Sequence, residues 1–349
     1  MGILFAILIF SFLIFIHEFG HFITAKLSGV QVNEFAIFMG PAIWKKQIGE
    51  TLYSIRCIPI GGYCAMEGED TDSDNPRAFG RAAWWKRLMI LVAGAAMNFI
   101  VGVLLTAIVL SCATAYVTPQ IATVESWSTL NCENGLRAGD TVLEVNGKDV
   151  DVYQDFILAT MALEDGNYDI LVERNGQQLL LEDVPMVRQK RDDSGTLYYG
   201  ISFRIAETTA ASVPGRIWPT AMSHVDSVIM GLKMLVTGQV SVTEMSGPVG
   251  IVDMMSDTAA SADSTAGAVL SMLDIGALIA INLAVMNLLP IPALDGGRVV
   301  ALLLTTGIEK VTGKKLNPKY EGYIHAAGMI LLLGLMAVIM LKDIIFVFK

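Results

Sequence analysis

The stretch Ile9-Phe-Ser-Phe-Leu-Ile-Phe-Ile-His17-Glu18-Phe19-Gly20-His21-Phe-Ile-Thr-Ala25 sets two histidines and a glutamate inside an apolar run. On a helix, side chains four positions apart share one face, so the His17 and His21 imidazoles can reach a single metal ion. Glu18 follows His17 directly and can hold a water at that ion, as the general base of a metalloprotease does. The run from about Gly2 to Ala25 is long enough to cross a bilayer, which takes roughly 20 apolar residues. Ionisable side chains at such depth are costly and mark functional sites. The N-terminus carries neither a basic leader nor a small-x-small cleavage signal, so a retained membrane helix is expected rather than a cleaved signal peptide.

Composition agrees with a membrane protein. Of 349 residues, 53% are hydrophobic and only 17% charged, with a mean hydropathy of +0.55, whereas soluble domains carry about a quarter charged residues. The formal net charge of −10 argues against nucleic acid, which asks for basic patches. Cys57, Cys64, Cys112 and Cys132 show no paired spacing, so neither a zinc ribbon nor a disulfide framework is expected.

Three further stretches qualify as spans: about Leu88–Val117, about Ile275–Leu294 and about Tyr323–Leu341. Lys and Arg concentrate between the first and second spans (Lys26 to Arg87) and between the third and fourth (Arg298 to Lys319), while Val117–Val240 is acid-rich. The positive-inside rule then makes both basic loops cytoplasmic and the acidic region external. Between the first two spans, Val32–Met66 alternates apolar and polar residues and is punctuated by Gly40-Pro41 and Gly61-Gly62, which reads as strands and hairpins, either dipping beside the site or folded as a compact cytoplasmic hairpin. Val117–Ile205 reads as a soluble β-rich domain with hairpin turns at Asn146-Gly147 and Asn175-Gly176. Val213–Val240 reads as an amphipathic helix pair, and Ser256–Ser264 as a polar linker. The resulting domains are 1–116, 117–206, 207–266 and 267–349.

A catalytic zinc takes a third protein ligand and keeps a position open for water. Asp295, in Asn287-Leu-Leu-Pro-Ile-Pro-Ala-Leu-Asp295-Gly296-Gly297, is the candidate. Pro290 and Pro292 cannot continue a helix, so the backbone unwinds there and can present Asp295 and Asn287 to a cavity. The first and third spans run in the same direction, which puts His17, His21 and Asp295 at similar depth toward the cytoplasmic face. Asp295 could instead cap the next helix, and Asn287 could hydrogen-bond between helices.

The HExxH in a span and the distant N-x-x-P-x-P-x-L-D-G together resemble the site-2 protease family of intramembrane zinc metalloproteases (peptidase M50), in its bacterial RseP-like branch. The likeness extends to Phe38-Met39-Gly40-Pro41, Pro59-Ile60-Gly61-Gly62-Tyr63, Arg77…Trp85-Lys86-Arg87…Ala93-Gly94…Asn98, Gly135–Asp140 and Ser246-Gly247-Pro248-Val249-Gly250. It implies a polytopic α-helical membrane protein of about four transmembrane helices, with a membrane-associated β-hairpin region and one extracytoplasmic PDZ-like domain at 117–206. It further implies one Zn2+ per chain on His17, His21 and Asp295, with Glu18 as catalytic base and Asn287 holding substrate or the developing oxyanion. The hairpin around Ile58, Gly61 and Gly62, with the unwound stretch at Pro290 and Pro292, would hold an extended substrate by edge pairing. The implied substrates are single-span membrane proteins such as anti-sigma factors or signal-peptide remnants, cut after a first protease. The implied setting is a bacterial plasma membrane, with lipid around the chain and no nucleic acid. Two tandem PDZ domains are usual in Gram-negative members; this chain has room for one. A transporter with an intramembrane His/Glu site would predict repeated spans with matched polar positions, which the sequence does not show. A PDZ scaffold would leave both motifs idle.

Overall fold

The computed structural model describes residues 2–69, 73–161, 163, 165–190, 197–240, 247–262, 264–312, 327–331, 333–334, 337–339 and 342. In chain order the elements are α1 (Gly2–Ser28), β1 (Val32–Ile48), β2 (Thr51–Met66), a 3-10 turn (Phe79–Arg81), α2 (Trp84–Cys112), β3 (Ala115–Val124), β4 (Thr141–Val145), β5 (Lys148–Asp149), α3 (Tyr153–Met161), β6 (Gly166–Arg174), β7 (Gln177–Met186), β8 (Gln189–Lys190), β9 (Leu197–Tyr198), β10 (Ile201–Glu207), α4 (Pro214–Val236), α5 (Pro248–Ala260), α6 (Thr265–Asn287) and α7 (Asp295–Thr312). The chain forms two compact units, one of Met1–Leu105 with Met234–Lys349 and the other of Thr106–Lys233.

Among the described residues, three helices are long and apolar enough to cross a membrane: Phe5–Ser28 of α1, α2 and α6. In lipid a backbone must satisfy its own hydrogen bonds, and an unbroken helix does so. The chain is thus a membrane protein with a β-rich region. The fourth expected span, about Tyr323–Leu341, lies partly outside the described residues. The third differs from expectation at both ends. It begins at Thr265 because the Ser264 side chain accepts from Gly267 N and caps the first turn. It stops at Asn287 because the prolines that follow cannot propagate it.

Two other expectations are corrected. Residues 256–260, expected in a linker, continue α5, whose first turn opens on Pro248 behind Gly247. The expected helix pair within 213–240 is one helix, α4. Pro219 lies near its start, where the ring removes a single bond and the helix carries through.

In the first unit, α1 ends on Gly29, whose φ of +82° lets the chain reverse while Val30 N donates to Ala25 O. The chain then enters β1 and β2, which pair with each other. Both strands bend, β1 at Phe38 and Gly40 and β2 at Gly61, all with positive φ. Glu34 consequently faces both Ala65 and Leu52, and Ala36 both Tyr63 and Ser54, so the first half of β1 lies between the two halves of β2. Arg56 fastens the bend by donating to Gly40 O, Glu34 Oε1 and Tyr63 Oη. Two clusters hold the helices. Ile90 and Leu91 of α2 pack with Ala25, Val32, Phe35 and Leu302. Ala6 and Leu13 of α1 pack with Val101, Met255, Met272 and Ala280.

In the second unit, the sheet order is β10-β3-β4-β6-β7, with β5 paired to β4. Asn146-Gly147 and Asn175-Gly176 adopt positive φ throughout, as two-residue hairpin turns require. Ile121, Val142, Phe156, Ile170 and Val184 fill its core. Asp140, 1% exposed at its side chain, is clamped by both Nε and Nη2 of Arg174 and also accepts from Arg137 N.

Candidate metal centre

Three donors converge in the first unit. His17 Nε2 lies 3.0 Å from Asp295 Oδ2, His21 Nε2 lies 3.3 Å from the same oxygen, and the two imidazole nitrogens are 3.2 Å apart. Ligands about 2.0–2.1 Å from a tetrahedral zinc stand roughly 3.3 Å from one another, so the triangle fits that ion. His17, His21 and Asp295 are the one such group among the described residues. Asp295 Oδ2 is buried without a hydrogen bond of good geometry, which an incoming cation would satisfy. The set is two imidazoles and one carboxylate, a donor combination suited to zinc.

Each donor is positioned by a separate piece of sequence. His17 and His21 lie one turn apart on α1, with ring centroids 4.8 Å apart. His21 Nδ1 lies 2.8 Å from Ile90 O, so the ring donates there and leaves Nε2 free to bind metal. Asp295 opens α7, and its Oδ2 turns to the imidazoles. Before it the chain leaves the helix after Asn287 and turns tightly, with Ile291 N donating to Leu289 O and Leu294 N to Ile291 O. Ala293 takes a φ of +83° in that turn. The turn then folds back over the start of α7. A Cβ on Gly296 would sit 2.3 Å from both Leu288 O and Leu289 O, and one on Gly297 2.4 Å from Ile291 O. The two glycines are therefore what lets Asp295 approach.

The expected substrate residues fall around this triangle. A Cβ on Gly62 would lie 3.5 Å from Glu18 Cγ, which brings the β2 bend beside the glutamate. Ser11 Oγ donates to Pro59 O and ties the same strand to α1. Ile58 is half exposed and packs over Gly40, while Gly61 turns beneath Met39. Asn287 Nδ2 is 3.4 Å from His17 Nδ1. Pro290 and Pro292 act on the backbone of the turn. The site also contains α2 residues to which the sequence reading gave no role. Ile90, Gly94 and Asn98 recur every fourth position and face the histidines. That spacing, with an asparagine in an uncharged span, was the available signal.

Residues 5–335 match the model of Peptidase family M50. A protein of Clostridium acetobutylicum bearing a zinc metalloprotease name is 37% identical over 348 residues, covering 99% of this chain and 98% of that protein. A similarly named protein of Clostridium perfringens is 35% identical, covering 99% of each. The Regulator of sigma-W protease RasP of Bacillus subtilis is 26% identical, covering 97% of each.

Proposed function

The chain belongs to peptidase family M50 and is an intramembrane zinc metalloprotease, and from that premise we propose that His17, His21 and Asp295 hold its zinc and that Glu18 is the general base. The observation that carries the assignment is the single oxygen, Asp295 Oδ2, within 3.3 Å of both imidazole nitrogens. Zinc bound there would supply Lewis acidity, bringing the pKa of water toward neutrality and polarising the scissile carbonyl. Glu18, one residue from His17, takes the proton of the attacking water and returns it to the leaving amine. Asn287, at the end of α6 and beside His17, offers its amide to the developing oxyanion.

A transmembrane helix shields its peptide bonds by its own hydrogen bonding, so the substrate must unwind before it is cut. An added strand would pair along the bend of β2 that leads to Gly61 and Gly62 beside Glu18. Pairing there would offset the lost helical bonds, while Pro290 and Pro292 keep the opposite wall non-helical. Substrates are membrane proteins. Those of single span, such as anti-sigma factors or signal-peptide remnants left by a first cut, suit a site reached from within the bilayer. The name of the Bacillus subtilis relative, which points to sigma-factor control, is in keeping with this. The β-rich unit acts as a PDZ-like filter outside the plasma membrane of a bacterium, and the metal centre lies toward the cytoplasmic side.

The test compares wild type and Glu18→Gln, purified in detergent, on a single-span reporter, each with and without a zinc chelator. Cleavage should vanish in the variant and under chelation. Full activity in either would overturn the assignment.

A further inference from the structure

The metal-site reading leaves one requirement unmet on His17. With Nε2 turned to Asp295 Oδ2 as a ligand, a neutral ring carries its proton on Nδ1 and needs an acceptor there. Two asparagines reach that atom, each with Nδ2 at 3.4 Å: Asn98 from α2 and Asn287 from the end of α6. Both thus present a donor to a donor.

The two ends of an asparagine amide are nearly equal in size, so a half-turn about its last torsion exchanges them at little steric cost. Asn98 has the stronger reason to turn. It is wholly buried in the middle of a membrane-crossing helix, and its Oδ1 has no hydrogen-bond partner. One rotation would satisfy the orphaned Oδ1 and the His17 Nδ1 proton together. Asn287 is only partly buried and sits where the chain unwinds.

We propose that Asn98 is the positioning residue of His17, accepting from Nδ1–H and fixing the imidazole with Nε2 toward the metal, so that Asn287 is free to serve the substrate. This rests on His17 being a zinc ligand. It gives the two histidines matching supports from one face of α2: the Ile90 carbonyl for His21, and two turns further on the Asn98 carbonyl for His17.

The experiment measures zinc affinity of the detergent-purified full chain by chelator competition, with melting of the metal-free protein as a check on folding. Asn98→Leu keeps the size and removes the acceptor; it should bind zinc about 10- to 100-fold more weakly. Asn98→Asp keeps an acceptor and should bind at or above the wild-type level. Asn287→Leu should bind zinc like wild type while turning over a reporter far more slowly. A purely structural role would lower melting in both Asn98 variants without separating their zinc affinities. Wild-type zinc affinity in Asn98→Leu, or a loss confined to Asn287→Leu, would overturn the proposal alone. A wild type that binds no zinc would overturn the metal-site reading and this one with it. If Asn98→Leu does not fold, Asn98→Asp decides: retained affinity supports the proposal, and a tenfold loss ends it.

Discussion

Gly94 of α2 faces His21 so closely that a Cβ at position 94 would stand 2.4 Å from His21 Nε2 and 2.7 Å from His17 Cε1. The approach is mutual, since a Cβ on Gly20 would meet Ala93 O at 2.5 Å. Two helices cross where neither has a side chain. Small residues at such crossings let membrane helices approach closely, and here the approach also leaves room for an ion.

Gly94→Ala should therefore lose zinc. The added methyl competes with the ion for one space, and we expect metal content well below one equivalent with cleavage reduced at least about a hundredfold, the scale of a misplaced catalytic group. Elemental analysis of purified protein checks it. A variant with a full complement of zinc would show that α2 shifts to accommodate the methyl.

Gly296→Ala acts from the other side of the triangle. Its methyl would collide with two carbonyls, which unlike side chains cannot rotate away, so the turn must move and carry Asp295 with it. Overpacking of this kind costs about 1–3 kcal/mol. Loss of activity with a lowered melting temperature is expected, and both can be read on one preparation. Gly307→Ala, at a helix position with open space around it, is the control and should cost nothing measurable.

In the second unit, Arg174→Leu leaves the Asp140 carboxylate buried without its guanidinium. Breaking such a pair costs about 3–5 kcal/mol. The variant should melt at lower temperature by near-ultraviolet circular dichroism, and Asp140→Asn in the same background should recover part of the loss.

Glu50, in the turn between β1 and β2, accepts from Arg77 and Lys26, which hold its carboxyl down to about 2. An unfolded glutamate titrates near ~4.3, so the pair contributes stability above that pH and loses it as pH falls toward about 2. Glu50→Gln should accordingly melt below wild type at neutral pH, with the gap closing on acidification. A gap that stays constant with pH would show that charge is not its source.

How much of this could be read without coordinates depends on how far apart the interacting residues lie. His17 and His21 were legible because a helix places positions four apart on one face. Asp295 was legible because span direction fixes depth, and because two prolines announce a break. The Asn146-Gly147 and Asn175-Gly176 turns were legible because asparagine and glycine tolerate positive φ. The partners of the histidines on α2 were not. Asn98 and Gly94 matter through the register in which α2 lies against α1, and no local pattern states that register. The doubled pairing of β1 escaped for a related reason: positive φ at Gly40 and Gly61 was foreseeable, but not which half of β2 each half of β1 would meet. The pair expected within 213–240 is one helix, α4, which carries through Pro219.

The donor triangle is assembled from the two ends of the chain, with the histidines on α1 and the carboxylate at the start of α7. A ribosome making this protein from its first codon inserts the histidines early and reaches the aspartate only after the hairpin, the β-rich unit and two further apolar helices. Until then the chain in the membrane has no complete metal set. On the proposal that all three donors hold the metal, cleavage can begin only once the chain has been made through Asp295.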